Sequence, residues 1–327
     1  MSYNITQESF ESLTSYWANP GHYLRWNSVF ILPAWLKVWW QEFGSGNEIY
    51  LGAIRQEENI IGIAPLLIKG RRASIIGSVD VCDYLDFIIA PGMETDFFNT
   101  LLDDLRQKGI DNLDLRALRP DSTVLTNLVG IAQDHKYEVL CQEEDVSVEL
   151  DLPATWEEYM ATLSTKQRHE VRRKLRRLSE TGKVDYRRYE VSQQEVGNFL
   201  NTFLKLFTLS REDKANFMTN QMESFFRSLT KAMAEIGLLR FGALEIDSIP
   251  TAMVMYFDYD DCVYLYNSGY DPQYNSLSAG LLSKVLCIKE SIQEGKKRFD
   301  FLKGAETYKY HLGGRGIPLY RCQITIN

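Results

Sequence analysis

The polar run at residues 303–309 carries most of the chemistry that this sequence offers. Its letters, KGAETYK, place a carboxylate at Glu306, a phenol at Tyr308 and an amine at Lys309, with a second amine at the start of the run. An acid, a phenol and amines at this spacing can exchange protons and stabilise charge, as general acid–base catalysis requires. The run follows a short apolar pattern at 299–302, and ligands of open α/β sheets bind beyond the carboxyl ends of strands. A solvated loop would use the same residue types, so both interpretations remain open.

The elements before that run predict a β-α-β unit. Residues 263–266 are β-branched and aromatic, as in a strand, and residues 299–302 form a second short strand. A strand–helix–strand crossover places its two strands in parallel with a right-handed connection. Apolar residues at close to helical spacing lie between the strands, before Gly295, and they are Leu281, Leu282, Val285, Leu286, Ile288 and Ile292.

The start of the predicted helix is a second candidate site. It carries Ser276, Ser278, Ala279 and Gly280. A serine cap and two very small residues leave the first backbone N–H groups open to an anion. Close packing against another element would require the same small residues, so the motif alone fits either interpretation.

Together these motifs resemble the C-terminal signature of GNAT-fold acyltransferases. The bacterial group related to the cellulose-synthesis-associated CelD/BcsL proteins is the most similar, and the Fem aminoacyl transferases are more distant. The resemblance covers roughly the second half of the chain and implies a role in bacterial polysaccharide or cell-envelope biosynthesis. The residues that carry it are the YLY, YDP, SAG and FDF tripeptides at 264–266, 270–272, 278–280 and 299–301, together with Gly295, Gly304, Glu306, Tyr308 and Lys309.

The resemblance implies an N-acyltransferase that uses acetyl-CoA, with no metal. The pantetheine of the donor is expected along residues 263–269, and its pyrophosphate at the start of the helix. The usual coenzyme loop reads Gln/Arg-x-x-Gly-x-Gly/Ala, and this chain departs from it with SLSAG at 276–280. The predicted coenzyme contacts are Tyr266, Asn267, Ser268, Ser278, Ala279, Gly280 and Leu281.

Catalytic roles follow for the polar run. A primary amine attacks the thioester directly, so no enzyme nucleophile is needed. Glu306 is the predicted base for the acceptor ammonium, and Tyr308 the predicted acid for the departing thiolate. Lys309 is expected to stabilise negative charge or to fix the substrate. Asp300 is expected to orient these groups, although a strand aspartate with a structural role fits equally.

Two further segments are candidates for substrate binding. Residues 166–183, KQRHEVRRKLRRLSETGK, predict a strongly basic helix in an acidic chain. Arg168, Arg172 and Arg173 are the candidates there, for coenzyme phosphates, a nucleotide-linked substrate or RNA, and a solvated helix is the alternative. The DYLD tetrapeptide resembles a family element, so Asp83 and Tyr84 are candidates to hold a polar substrate. A turn before a strand explains that tetrapeptide equally well.

The predicted order of elements is similar in the two halves of the chain. Each half runs from helices through antiparallel strands to alternating helices and strands, and Pro153 marks the expected boundary. We therefore expect an α/β fold of the mixed-sheet (α+β) kind, with two tandem GNAT-like units at residues 1–152 and 153–327.

Composition limits the classes of function. The chain has 327 residues and a net charge of −8, which argues against general nucleic-acid binding. We expect no secretory signal and no membrane span, because the most apolar segment, 29–40, is short and interrupted. Five scattered cysteines without a CxxC pair predict reduced thiols and a cytoplasmic location. Zinc, Walker A and GxSxG motifs are absent from the sequence, so metal or hydrolase chemistry is not expected.

Two other functions fit the same sequence. A Fem-like aminoacyl transferase that uses charged tRNA would explain the basic helix and the tandem units, whereas the acidic net charge opposes it. A catalytically inactive binding protein would explain the weak coenzyme loop, whereas the run at Glu306–Lys309 opposes it. The main expectation is a small-molecule, carbohydrate-linked or nucleotide-linked amine as the acceptor.

Overall fold

A computed structural model describes residues 3–326, and the chain divides into two compact units. Unit 1 comprises Met1–Val146 and Ile317–Asn327, and unit 2 comprises Ser147–Gly316. The expected second domain, residues 153–327, runs to the end of the sequence. In the structure, most of the last strand belongs to unit 1 instead. The pattern of the strand itself was readable from the sequence, but its hydrogen-bonding partner was not.

Unit 1 contains six whole strands, parts of two further strands and four α-helices among its described residues. Shorter turns of 3-10 helix lie at Pro20–His22 and Val29–Ile31, and a π-helical turn lies at Val124–Leu128. The elements in chain order are β1 (Tyr3–Gln7), α1 (Phe10–Ala18), α2 (Pro33–Phe43), β2 (Glu48–Gln56), β3 (Asn59–Lys69), β4 (Arg72–Ile75), the two-residue strand β5 (Ile88–Ile89), α3 (Glu94–Gln107), β6 (Asn112–Leu118), α4 (Val129–Asp134) and the first part of β7 (Glu138–Asp151).

Unit 2 takes in the end of β7 and most of the remaining elements. A 3-10 turn at Pro272–Leu277 precedes its long central helix. The elements are α5 (Trp156–Thr162), α6 (Thr165–Ser179), β8 (Val184–Glu190), α7 (Val196–Ser210), α8 (Glu212–Phe217), α9 (Asn220–Glu235), β9 (Leu239–Ile246), β10 (Ile249–Tyr259), β11 (Cys262–Tyr270), α10 (Ala279–Gln293), β12 (Arg298–Lys303), α11 (Thr307–His311) and the start of β13 (Arg315–Thr325).

The two units repeat one topology. The strand order in unit 1 is β1-β2-β3-β4-β6-β13, and in unit 2 it is β8-β9-β10-β11-β12-β7. In unit 1 every neighbouring pair of these is antiparallel except β4 and β6, which are parallel and joined through α3. In unit 2 the parallel pair is β11 and β12, joined through α10. The predicted mixed α/β fold is therefore confirmed, with a similar pairing pattern in each unit, as is the parallel pairing of the β-α-β unit.

The core of unit 2 forms around α10. Its predicted apolar stripe is buried at Leu282, Val285, Ile288 and Ile292, where each side chain is at most 4% exposed. These residues belong to one cluster with apolar residues of β9, β10, β11 and β12. Burial of this stripe fixes the rotation of the helix, and it therefore determines which of its polar residues point inward.

Three local predictions differ from the structure. A single helix is predicted at residues 5–17, but the chain forms β1 first, and Ser9 then caps α1 by accepting from the Ser12 N–H. The strands predicted at 137–141 and 146–150 are one continuous strand, β7. Of the strand predicted at 85–89, only Ile88–Ile89 pairs.

The prediction that all cysteines are reduced is wrong for two of them. Cys141 on β7 and Cys322 on β13 form a disulfide within unit 1, with their Cα atoms 4.2 Å apart. Cys82, Cys262 and Cys287 are free and buried. The bonded pair is 181 positions apart in sequence. Only strand pairing brings these residues together, so their spacing carried no signal.

The described residues contain neither a membrane-crossing helix nor a cluster of metal ligands. None of the helices within residues 3–326 combines the length and the apolar character that a crossing requires. Across the same residues, no group of three or more His, Cys, Asp or Glu side chains is placed to hold a metal ion.

Candidate active site

The parallel strands β11 and β12 separate within unit 2. They pair only at Cys262–Arg298, Val263–Phe299 and Tyr264–Asp300, although β11 itself continues to Tyr270 and β12 to Lys303. On its other edge β11 stays paired with β10 as far as Tyr270. A bulge in β10 between Met255 and Phe257 bends this part of the sheet. The ladder between β11 and β12 therefore ends at Tyr264, and the two strands diverge beyond it.

Asp300 shapes the point of separation from inside the protein. It is fully buried, and its carboxylate accepts a hydrogen bond from the Leu302 N–H at 2.8 Å. Leu302 has a φ of +62°, a left-handed conformation that is costly for a branched residue. The register of β12 against β7 shifts at the same place. Asp300 thus stabilises a kink in β12, which fits the orienting or structural role expected from the sequence.

Lys309 holds the chain after β12 in a hook, residues 303–309. Its ammonium donates to the carbonyl oxygens of Leu302, Lys303 and Gly304 at 3.0, 2.7 and 3.0 Å, and it pairs with the Glu306 carboxylate at 2.9 Å. The Lys309 side chain is only 3% exposed. Four oxygen partners occupy this ammonium, so its position fits a positioning residue that fixes the hook.

Glu306 and Tyr308 lie on the same hook in different surroundings. The Glu306 side chain is 48% exposed, so a substrate can reach it. Partial burial raises its pKa, but the hydrogen bond and charge of Lys309 outweigh that effect and leave the pKa below its usual value. Burial raises the pKa of Tyr308 well above that of a free phenol. At neutral pH the pair is therefore a carboxylate and an uncharged phenol.

Two lysines outside the predicted site residues face the same hook, and of these Lys284 is buried and Lys214 half-buried. The amine of Lys284, on α10, donates to the Gly280 carbonyl at 2.7 Å and lies 5.2 Å from the centroid of the Tyr308 ring. The amine of Lys214, on α8, donates to the Ser268 carbonyl at 2.5 Å. Burial and like charges lower the pKa of Lys284 to about 7, and that of Lys214 to about 8. For Lys214 the like charge is that of Arg211.

Only one of these lysines had a signal in the sequence. Lys284 lies three positions after Leu281 and four before Ile288, so it occupies the apolar face of the predicted helix. A lysine at such a position must bury its amine, which is rare unless the amine has a function. Lys214 lies in a short polar helix, and its approach to β11 depends on tertiary packing.

The predicted coenzyme contacts on β11 lie along the separated part of the strand. Tyr266, Asn267 and Ser268 all follow Tyr264, the last residue that pairs with β12. The Tyr266 ring packs against Phe226 and Phe257, with centroids 5.7 and 5.4 Å away. The structure therefore places these three residues beyond the last pair that β11 forms with β12.

A close approach between backbones fixes the end of β11. A Cβ at Gly269 would lie 2.3 Å from the Phe207 backbone nitrogen, so only glycine lets α7 rest directly on the strand. The chain then turns from α7 into α8 within one residue. This contact places Lys214 beside Ser268.

The predicted phosphate contacts lie at the start of α10. Ser278 precedes the helix with a φ of +58° and makes no side-chain cap, and its carbonyl accepts from the Leu281 and Leu282 N–H groups. The first N–H groups of the helix, at Ala279 and Gly280, have no carbonyl within the helix to bind. A Cβ at Gly280 would lie 2.6 Å from the Tyr270 ring. Close packing against Tyr270 is therefore enough to explain the glycine at position 280. The backbone N–H groups at the start of α10 are still available as hydrogen-bond donors.

The arginines of α6 divide into paired and unpaired side chains. Arg173 makes two hydrogen bonds to Glu170, at 2.9 and 2.8 Å, and Lys174 approaches the same carboxylate at 3.5 Å. Arg168 and Arg172 form no ion pair or side-chain hydrogen bond with any residue between 3 and 326. Of the three predicted anion contacts, Arg168 and Arg172 are therefore available and Arg173 is engaged.

The DYLD segment fills the corresponding gap of unit 1. The strands β4 and β6 pair at only two positions, and beyond them Leu85 donates its N–H to the Ala117 carbonyl at 3.0 Å. Tyr84 is 3% exposed and lies under Arg119, and the Asp86 carboxylate accepts from the N–H and hydroxyl of Thr123. The chain itself thus occupies the gap between these strands, and Tyr84 is a packed residue there.

Comparisons with known proteins agree with this geometry. Residues 165–310 match the family model described as Acetyltransferase (GNAT) domain. The match spans α6 to the hook and covers the separated strands of unit 2. Among curated proteins, the comparison found no match.

Solved structures show the same fold at low sequence identity. A structure of FemX aligns with a TM-score of 0.63 at 10% identity, covering 97% of this chain and 96% of that one. A conserved protein of unknown function from Bacteroides thetaiotaomicron VPI-5482 aligns with a TM-score of 0.65 at 9% identity, over 99% and 100% of the two chains. A tandem GNAT protein from the clavulanic acid biosynthesis pathway aligns with a TM-score of 0.50 at 9% identity, over 98% of each chain. At these identities the similarity concerns the fold alone.

Proposed function

We propose that this chain is an N-acyltransferase that transfers an acetyl group from acetyl-CoA to a primary amine. The observation that carries the proposal is the separation of β11 from β12 beyond Tyr264, with Glu306 and Tyr308 on the hook that follows β12. Beyond Tyr264, where its ladder with β12 ends, β11 offers backbone donors and acceptors to the amide groups of pantetheine, as a neighbouring strand would. The first N–H groups of α10 offer a site for the pyrophosphate.

The hook supplies groups for the acceptor and for the leaving group. The Glu306 carboxylate is anionic and half-exposed, so it is suited to receive the ammonium of the acceptor. After the ammonium has lost one proton to a base, the free amine attacks the thioester carbonyl, a C–N bond forms and the C–S bond breaks. The second proton of the attacking nitrogen passes to the thiolate, so CoA leaves as the thiol. Tyr308, whose phenol stays protonated, is placed to donate a hydrogen bond to the thiolate. Lys309 and Asp300 act by holding the hook and the kink of β12.

The acceptor we propose carries both an amine and an anionic group, as a nucleotide-linked or sugar-linked amine does. Arg168 and Arg172 on α6 support this, since neither guanidinium has an anionic partner within residues 3–326. The motifs at 264–309 support membership of the CelD/BcsL-like group, with a role in polysaccharide or cell-envelope biosynthesis. We also propose a cytoplasmic location, because acetyl-CoA is made in the cytoplasm. The cysteines do not support this location, since two of them form a disulfide.

A Fem-like aminoacyl transferase is the second candidate. The alignment with FemX over 97% of this chain supports it, together with the basic surface of α6. In that case the acyl group would come from an aminoacyl-tRNA. An inactive binding protein is less well supported, because the buried Lys309 network maintains the hook that carries Glu306 and Tyr308.

Thiol release from acetyl-CoA tests the function. We expect release in the presence of a primary amine from a panel of glucosamine, UDP-glucosamine, lysine and spermidine, with a matching rise in the mass of the amine. Hydrogen bonds to charged groups contribute about 1.5–3 kcal/mol, so Glu306→Gln should lower kcat/KM for the amine roughly 10- to 100-fold. The control is Glu235→Gln, an exposed carboxylate at the end of α9. No thiol release with acetyl-CoA, but aminoacyl transfer from charged tRNA, would favour the Fem-like candidate.

Neighbouring arginines on α6 test the acceptor class. Arg172→Gln removes an unpaired charge and should weaken binding of UDP-glucosamine by about fivefold or more, with a smaller dependence on salt. Arg173→Gln removes an arginine that Glu170 already engages, and its effect should be smaller. If both variants and the wild type have the same dissociation constant for UDP-glucosamine, and salt does not change it, then α6 is a solvated helix with no role in binding.

A further inference from the structure

Lys284 is a buried lysine that has no role in the reaction proposed above. It is 7% exposed and lies one turn into α10, where its amine donates to the Gly280 carbonyl and packs over the Tyr308 ring. Within residues 3–326 no carboxylate forms an ion pair with it. A buried lysine in this state reduces the stability of the fold. Such a position is typical of lysines that act in proton transfer.

Charged and titratable groups from three elements face the Lys284 amine. Lys214 comes from α8, Glu306 and Lys309 come from the hook and α11, and Cys287 lies on α10 itself. Burial lowers the pKa of Lys284 most, and the positive charges of Lys214 and Lys309 lower it further, to about 7. A substantial fraction of Lys284 is therefore an uncharged amine at neutral pH.

We propose that Lys284 accepts the proton of the acceptor ammonium. This inference rests on the proposed function and deepens it. Tyr308 places Lys284 next to the hook, and Lys214 connects the same cluster to the end of β11 through Ser268. The Lys284 amine therefore lies beside Tyr308 on the hook, and Lys214, whose charge acts on it, contacts the end of β11.

The step balances in protons and electrons. The acceptor ammonium gives one proton to the Lys284 nitrogen, and the free amine attacks the thioester carbonyl. As the C–N bond forms and the C–S bond breaks, the second proton of the attacking nitrogen passes to the departing thiolate. The products are the amide and the CoA thiol, and Lys284 returns its proton to water.

Lys284 is better matched to this task than Glu306. A general base works best when its pKa lies near the operating pH. The ammonium of Lys309 lowers the pKa of the Glu306 carboxylate, which makes it a weaker base than a free carboxylate. Glu306 then binds the ammonium, and Lys284 takes the proton.

The test compares Lys284→Met and Lys284→Arg with the wild type, using acetyl-CoA and the fastest amine of the panel above. We expect both variants to lower kcat by roughly 10²- to 10⁴-fold and to keep their affinity for CoA in calorimetry. Only the uncharged amine can accept a proton, so wild-type kcat should rise with pH through about 7, and the variants should lose this rise. The control is Lys289→Met, a half-exposed lysine of the same helix, which should behave as the wild type.

The outcomes separate the two proposals. If the wild type is active and Lys284→Met keeps its turnover and pH profile, Lys284 is not the proton acceptor, while the proposed function stands. Recovery of activity in Lys284→Arg would also overturn the inference, because an arginine keeps the charge and cannot act as a base. A wild type that acetylates none of the four amines overturns both proposals. If a variant fails to fold, NMR of the wild-type Lys284 side chain decides, since titration near pH 10 would contradict the proposal.

Discussion

Lys309→Met is expected to lower the free energy of unfolding by about 3–5 kcal/mol, because it removes one partner of a buried charge network. The substitution leaves three carbonyl oxygens, those of Leu302, Lys303 and Gly304, without the ammonium that binds them. It also leaves Glu306 unpaired. The hook should lose its fixed conformation, and turnover should fall together with stability.

Urea denaturation of the two proteins measures this effect. The control is Lys297→Met, which makes the same substitution at an exposed lysine of unit 2. Its midpoint should stay close to that of the wild type. If Lys309→Met were as stable as this control, the hydrogen bonds of the Lys309 ammonium would not hold the hook, and its role would have to be in contact with the substrate.

Gly280→Glu is expected to lower the affinity for CoA by about 100-fold or more. A carboxylate at this position places negative charge at the first N–H groups of α10, where the pyrophosphate should bind, and juxtaposed like charges cost several kcal/mol. The control is Gly197→Glu, which introduces the same side chain at the second position of α7, where a Cβ has open space. Calorimetric titration with CoA should show wild-type affinity for that control.

Gly280→Ala separates charge from packing. Even a single methyl group would lie 2.6 Å from the Tyr270 ring, so this variant reports the cost of displacing the ring alone. We expect its loss of CoA affinity to be much smaller than that of the glutamate variant. Equal losses would show that Tyr270 packing, and not charge at the helix start, controls binding.

The sequence predicted the β-α-β unit because local signals agree there. Apolar spacing in α10, β-branched and aromatic residues in β11 and a glycine after the helix all favour one arrangement. The parallel pairing then followed from the connection between the strands. The hook was also readable, since Gly304 permits a turn and Glu306, Tyr308 and Lys309 follow within a few residues.

Features that depend on distant residues could not be read in the same way. The kink at Leu302 is stabilised by the Asp300 carboxylate and by Lys309, which binds three carbonyl oxygens there. No local sequence pattern indicates a leucine in the left-handed conformation. The role of Lys309 in holding the hook appears only when the hook is folded. The disulfide between Cys141 and Cys322 depends on strands that are far apart in the chain. Lys214 reaches Ser268 only because Gly269 lets α7 approach the strand.

Hydrogen–deuterium exchange with and without acetyl-CoA measures whether unit 2 binds the donor along β11 beyond Tyr264 and at the start of α10. Saturating acetyl-CoA should slow exchange of the backbone amides at 265–270 and 279–281. The segment 76–87 of unit 1, which fills the corresponding gap there, should exchange as before. Protection at 76–87 without protection at 265–270, or no change at saturating acetyl-CoA, would contradict the account.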